Sequence, residues 1–187
     1  MAGDARRAFR RASRDPEEPP TREAALEIAV RYLGARPRTR WELERRLRRA
    51  GAEDVVVTLT LERLSAMGYL DDAAFARWWS EQRDRHAPRG RRLLEAELRQ
   101  HGVPREVIEA HRLEDSTAAR APEDEALPET DEERARIALE RHLRGRPLPT
   151  DPRALQRIGM FLVRRGFEPD VVRGVLRAGD GAESAGD

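Results

Sequence analysis

The chain has no cysteine among its 187 residues, which excludes disulfide bonds and thiolate metal sites. It has no run of about 18 apolar residues, so the sequence predicts no membrane-spanning helix, no membrane partner and a cytoplasmic location. Aromatic residues make up only 5% of the chain, and β-branched runs are scarce, which disfavours strands. Lysine and asparagine are also absent. Because Ala, Leu, Arg and Glu dominate what is left, the composition favours an all-α fold.

A short pattern that returns three times is the strongest signal in the sequence. It consists of an apolar residue, leucine four positions later and glycine four positions after that. Its copies are Leu43, Leu47 and Gly51; Leu94, Leu98 and Gly102; and Ile158, Leu162 and Gly166. A β-branched pair follows each copy, as Val56 and Val57, Val107 and Ile108, and Val171 and Val172. Glycine is typical of the left-handed end of a helix, so we predict a tandem helical repeat, an architecture that usually binds other molecules.

Helix start and stop signals divide the chain into six segments. We predict a basic flexible arm at 1–20, repeat 1 at 21–68, repeat 2 at 69–113, an acidic linker at 114–130, repeat 3 at 131–178 and a disordered tail at 179–187. Thr39 with Glu42, and Thr130 with Glu133, have the spacing of a capping box. In the segment GYLDD, Asp71 is placed to cap the helix that follows.

Charge is segregated between the repeats and the segments that connect them. The three repeats hold 30 arginines against 22 acidic residues, whereas the linker holds one arginine against six acidic residues. Arginine binds phosphate and carboxylate groups through a planar, bidentate contact. The absence of lysine is also explained by genome composition, so arginine usage alone does not identify a partner.

No motif of catalysis is found. The sequence contains no nucleophile elbow, dinucleotide-binding glycine motif or phosphate-binding loop. Its four histidines, His86, His101, His111 and His142, have no metal-ligand spacing. We therefore expect a protein that is not an enzyme, without catalytic residues, metal or cofactor.

Arginines cluster on the middle helix of each predicted repeat, where they would bind a protein partner or DNA. Adjacent Trp78 and Trp79 point about 100° apart on a helix, so we expect one of them to stay exposed. The predicted binding residues are Arg45, Arg46, Arg48, Arg49, Trp78, Arg89, Arg91, Arg92, Arg99, Arg164 and Arg165. An alternative is a solvated face on which these arginines pair with nearby glutamates at helical spacing.

Four stretches of the chain resemble the RecX family, regulators of the bacterial recombinase RecA. They are RYLGARPRTRWELERRLRRAG at 31–51, LERLSAMGYLDDAAFARWW at 61–79, RGRRLLEAELRQHGV at 89–103 and LVRRGFEPDVV at 162–172. The resemblance spans residues 25–177, and GYLDD followed by Phe75 and Ala76 is its most diagnostic part.

The resemblance implies three tandem three-helix repeats that form an elongated, curved bundle. It also implies a non-catalytic inhibitor that binds the RecA nucleoprotein filament and limits strand exchange, ATP hydrolysis and SOS induction. We expect the chain to be a monomer. Two other functions stay open at this point. One is a module that binds single-stranded DNA directly and competes for the strand; the other is a purely structural helical adaptor.

Overall fold

The computed structural model describes residues 18–117, 128 and 130–183, and within these ranges it contains nine α-helices and no strand. The helices are α1 (Arg22–Leu33), α2 (Arg40–Arg49), α3 (Asp54–Ala66), α4 (Asp72–His86), α5 (Arg91–Gln100), α6 (Arg105–Thr117), α7 (Asp131–Leu143), α8 (Pro152–Arg164) and α9 (Pro169–Glu183). The predicted all-α fold with three tandem three-helix repeats is confirmed. Most of the predicted arm, linker and tail lies outside the described residues.

Two compact units divide the chain between Leu70 and Asp71. The first unit holds α1, α2 and α3, which is repeat 1. Its core forms where the apolar stripes of the three helices meet, since each stripe can be removed from water only against the other two. The buried core residues include Ala25, Ala29, Leu43, Leu47, Val57, Leu61 and Leu64.

The second unit holds α4 to α9 and contains two clusters of buried apolar residues, one for each repeat. The cluster of repeat 2 consists of Phe75, Ala76, Leu98, Val103 and Ile108. The cluster of repeat 3 includes Ala135, Ala138, Leu139, Ile158, Leu162, Phe167 and Val172. Each three-helix repeat therefore has its own small core.

The threefold sequence pattern is explained by packing and by helix ends. Its apolar residues are buried in all three copies, as is the second member of each β-branched pair. Gly51, Gly102 and Gly166 adopt φ angles of 82°, 74° and 87°, the left-handed conformation that costs glycine least. The predicted helix stops are confirmed.

The predicted helix starts are confirmed as well. Thr39 and Glu42 form a reciprocal capping box at α2, and Thr130 and Glu133 form one at α7. At α4 the Oδ1 atom of Asp71 accepts hydrogen bonds from the backbone N–H groups of residues 73 and 74, at 2.8 and 3.0 Å. These contacts satisfy N–H groups that a helix leaves without internal partners.

Two helices are longer than the sequence pattern indicates. Helix α6 continues to Thr117, which places residues 114–117 of the predicted linker in a helix. Helix α9 continues to Glu183, beyond the start of the predicted tail at 179. Over the described ranges no helix is both long enough and apolar enough to span a membrane.

Candidate functional site

The four predicted binding arginines of repeat 1 lie on the exposed face of α2. Leu43 and Leu47 occupy the opposite, buried face, so the residues between and after them project into solvent. Arg48 is neutralised by two carboxylates, Glu44 at 2.6 Å and Asp54 at 3.2 Å. This arginine fits the alternative of a solvated, ion-paired face.

The other three arginines of α2 are available to a partner. The guanidinium carbon of Arg45 lies 4.2 Å from the centroid of the Trp41 ring, a cation–π contact that leaves the charge uncompensated. Among the described residues, no carboxylate forms an ion pair with Arg45, Arg46 or Arg49. They form an exposed basic surface, which we call the α2 arginine surface (Arg45, Arg46 and Arg49).

The predicted arginines of repeat 2 are more strongly engaged. Arg99 pairs with Glu95 one turn away at 2.7 Å, and Arg92 pairs with Glu168 of repeat 3 at 3.5 Å. Arg89 does not lie on α5, because the N-cap of that helix is the following residue, Gly90. Much of this cluster therefore stabilises the second unit itself.

A single buried carboxylate, Glu97, organises the residues around Arg89. Its Oε2 atom accepts hydrogen bonds from Nε of Arg83 and from Nε1 of Trp79, each at 2.9 Å, and Glu97 also forms an ion pair with Arg89. Burial lowers the pKa of Arg89, and the positive charges of Arg83 and Arg165 lower it further. Arg83 and Arg89 share this one buried counterion, so their charges are already compensated within the fold and are less available to a ligand.

The predicted binding residue Trp78 lies at the edge of the repeat 2 core. Its ring is half-buried, with its centroid 5.7 Å from that of Phe75 and 6.0 Å from that of Trp79. Trp79 is half-buried too, and the His101 ring contacts it edge-on at 4.3 Å. Neither tryptophan is fully exposed, because the two share one aromatic cluster at the core edge.

The backbones of repeats 2 and 3 touch where α5 begins and α8 ends. The N–H group of Gly90 donates to the carbonyl of Arg165 at 2.9 Å, and Nη1 of Arg165 donates to the carbonyl of Pro88 at 3.1 Å. A Cβ atom at Gly90 would lie 2.3 Å from the carbonyl carbon of Gly166. Arg165 therefore contributes to this contact, while Arg164 is exposed.

Repeat 3 also caps a helix of repeat 2. Gly90 has no side chain with which to cap α5, and Oδ2 of Asp131 instead accepts a hydrogen bond at 3.1 Å from the first N–H of that helix, on Arg91. The carboxylate charge is favourable there because it faces the positive end of the helix dipole. Arg91, predicted to bind a partner, thus has its backbone at the contact between the repeats.

A buried ion pair that the sequence pattern did not predict lies at the same contact. Asp84 of α4 and Arg134 of α7 are both buried, and Nε of Arg134 lies 3.0 Å from Oδ1 of Asp84. A second hydrogen bond, of 3.3 Å, joins Nη2 to Oδ2. One signal was present in the sequence, since Arg134 stands four residues before Ala138 and shares its buried face.

No group of histidines and carboxylates in the described ranges has the geometry of a metal site. The structure thus presents three tandem three-helix domains that carry exposed arginines, the second and third held together by a polar contact. These features define a helical-repeat protein.

Family comparisons identify the particular kind of repeat protein. Models of the first, second and third three-helix domains of RecX match residues 25–64, 71–111 and 129–176. A "Regulatory protein RecX" of Mycobacterium avium is 35% identical over 166 residues, which cover 89% of this chain and 90% of the relative. Another of Thermobifida fusca is 37% identical over 156 residues, covering 82% and 77%. The chain belongs to the RecX family.

Solved structures show the same fold. The crystal structure of RecX from Lactobacillus salivarius matches with a TM-score of 0.68 at 17% identity, covering 85% of this chain and 96% of that one. A second crystal structure, of a regulatory protein RecX, matches with a TM-score of 0.61 at 20% identity, covering 82% and 70%. The three-repeat architecture is therefore shared at low sequence identity.

Proposed function

We propose that the chain is a non-catalytic modulator of RecA that binds the RecA nucleoprotein filament and limits strand exchange, ATP hydrolysis and SOS induction. Membership of the RecX family supports a regulatory role, since curated relatives along most of the chain are named regulatory proteins. The proposed site of action is the cytoplasm, and the proposed acting form is the monomer.

The α2 arginine surface is the observation that carries the proposal. Its three guanidinium groups are exposed and have no described carboxylate partner, so a partner need not displace an existing ion pair to reach them. Planar, permanently charged guanidinium groups suit the carboxylates and phosphates that a protein–DNA filament displays.

A filament-binding assay tests the proposal. The fluorescently labelled chain is titrated with RecA assembled on single-stranded DNA with a slowly hydrolysed ATP analogue, and with the same DNA alone. We expect binding to the filament at least about tenfold tighter than to the bare DNA, a difference of about 1.4 kcal/mol. Equal affinity for both would contradict filament recognition.

Direct competition for the DNA strand is the second candidate function. The excess of arginine over acidic residues in the repeats favours it. Repeating the bare-DNA titration at rising salt measures this activity, since binding dominated by phosphate contacts weakens steeply with salt. Tight, salt-sensitive binding to bare DNA that matches the filament affinity would support competition for the strand.

A further inference from the structure

The second unit contains a groove of about 440 Å³ between repeats 2 and 3 that has an entirely basic polar lining. Its charged and titratable residues are His86, Arg141, His142, Arg144, Arg146 and Arg165. No carboxylate lines the groove, although acidic residues are nearly as numerous as arginines in the chain as a whole. Such a local excess of one charge concentrates anions.

A second cavity, of about 590 Å³, adjoins the first. The two share His142, Arg146 and Phe161, and the second adds Arg157 and Arg164, again without a carboxylate. Together they form one basic tract, which we call the repeat 3 groove. Because its positive charge extends along two adjoining cavities, this tract suits a chain of phosphate groups better than one isolated phosphate.

The arginines of the groove are held in place without being neutralised. Nη2 of Arg141 donates to the carbonyl of residue 85 at 3.2 Å, Nε of Arg146 donates to that of residue 143 at 3.1 Å, and Arg165 donates to that of Pro88. These acceptors are neutral, and no described carboxylate forms an ion pair with the three arginines. Their full positive charge therefore stays available to a ligand, in contrast to that of Arg48 or Arg99.

An aromatic pair lies within the same groove. The rings of His142 and Phe161 stack with centroids 4.0 Å apart and planes at 24°, and His142 is exposed. An unpaired base can extend such a stack, whereas a base inside a duplex is already stacked on its neighbours. Basic groups beside an exposed aromatic ring suit a single strand.

The backbone at Arg144 is in an unfavourable conformation. This residue has φ 52°, a left-handed value that costs a residue with a side chain about 1–2 kcal/mol. The corresponding residue of repeat 1 is Gly34, with φ −63°. A glycine adopts this conformation at lower cost, so Arg144→Gly removes the charge without adding backbone strain.

We propose that the repeat 3 groove binds single-stranded nucleic acid, with backbone phosphates on Arg141, Arg144 and Arg146 and one base stacked on His142. This site goes beyond filament binding, and it gives the second candidate function, direct contact with a single strand, a place in the fold. It assigns strand contact to the third repeat, whereas the α2 arginine surface belongs to the first.

The test measures fluorescence anisotropy of a labelled 20–30-nucleotide oligothymidylate without RecA, so that its outcome is independent of filament binding. One variant combines Arg141→Gln, Arg144→Gly and Arg146→Gln. Its matched control combines Arg105→Gln, Arg136→Gln and Arg173→Gln, which removes the same charge from exposed arginines of the same unit that pair with nearby carboxylates.

We expect the groove variant to weaken binding at least about tenfold and to lower the salt slope by about 2, at about 0.7 per lost phosphate contact on a single strand. The control should stay within about threefold of the unaltered chain. Equal weakening in the two variants would overturn the site, because it would show a general charge effect. Circular dichroism during heating confirms that both variants fold.

The aromatic part of the site needs its own comparison. His142→Ala should weaken binding by about 5- to 150-fold, the loss of one stacked base, while His142→Phe should retain binding. Unchanged affinity in His142→Ala would overturn base stacking. Competition with ATP tests whether the groove instead binds a single nucleotide. If ATP displaces the oligonucleotide when both are present at the same molar concentration, the site is not specific for a strand. Failure of ATP to displace it supports a strand site.

Discussion

Asp84 and Arg134 form a fully buried ion pair that joins the second and third repeats across 50 residues of sequence. Two hydrogen bonds, at 3.0 and 3.3 Å, orient the guanidinium group on the carboxylate. Arg134 also lies 3.5 Å from Asp131, the residue that caps α5. Arg134, in the first turn of α7, thus contacts both Asp84 of α4 and the residue that caps α5. The contact between repeats 2 and 3 therefore depends on this one arginine.

Removing one partner of this pair should destabilise the second unit strongly. We expect Asp84→Ala to lower the free energy of unfolding by about 3–5 kcal/mol, because the arginine charge would stay buried without its hydrogen-bonded carboxylate, beside the more distant Asp131 at 3.5 Å. Urea denaturation followed by circular dichroism measures the change. In the double variant Asp84→Leu with Arg134→Met, much of the loss should be recovered. A loss under about 1 kcal/mol in Asp84→Ala would show that the pair is not sealed from water.

The backbone of residues 166 and 167 lies so close to Gly90 that a side chain there should destabilise the chain. A methyl group there would meet the backbone of residues 166 and 167 at 2.3–2.4 Å, so Gly90→Ala should destabilise the chain by about 1–3 kcal/mol. Gly174, in α9, has nothing within 4 Å of an added Cβ. Gly174→Ala should therefore stabilise the chain by about 0.5–1 kcal/mol. Equal urea midpoints for the two variants would contradict the contact.

Two glutamates of α5 offer a matched pair. Glu97→Gln leaves Arg83 and Arg89 without their shared counterion in a half-buried site, so we expect a loss of about 2–4 kcal/mol in unfolding free energy. Glu95→Gln breaks only the Glu95–Arg99 pair, whose arginine is exposed, and should cost less than about 0.5 kcal/mol. Thermal unfolding of the two variants side by side checks the difference. Similar costs would mean that Glu97 is solvated.

Filament recognition by the α2 arginine surface is tested with two triple variants of repeat 1. Replacing Arg45, Arg46 and Arg49 by alanine should weaken filament binding at least about tenfold, since each lost charged contact is worth about 1 kcal/mol or more. The control replaces Arg22, Arg31 and Arg63, which are exposed on α1 and α3, and should bind nearly as the unaltered chain. Equal losses would place recognition elsewhere.

The repeat architecture could be predicted from the sequence because it depends on local signals. Residues such as Leu43 and Leu47 recur at helical spacing. Gly51 ends a helix through its own backbone freedom, and Thr39 caps a helix by accepting from an N–H group three residues away. Each signal acts within one or two turns. The family resemblance, carried by GYLDD and its neighbours, is confirmed by the three domain matches.

The polar contact between repeats 2 and 3 could not be predicted in the same way. Asp84 and Arg134 meet only after two repeats have packed. A side chain is excluded at Gly90 only because the backbone of Gly166 lies so close to it. Among 36 arginines, spacing alone did not separate those that are buried or paired from those that are free. That distinction depends on which carboxylates the tertiary structure brings near, and it removes Arg48 and Arg89 from the strongest candidates for partner binding.

The most direct test of the central proposal is the rate of ATP hydrolysis by RecA on single-stranded DNA in the presence of the purified chain. With DNA in excess over the chain, competition for bare strand has little effect. We predict that substoichiometric chain depresses hydrolysis and that the Arg45, Arg46 and Arg49 triple variant depresses it less. An unchanged hydrolysis rate at every ratio up to equimolar would contradict the role of the chain as a RecA modulator.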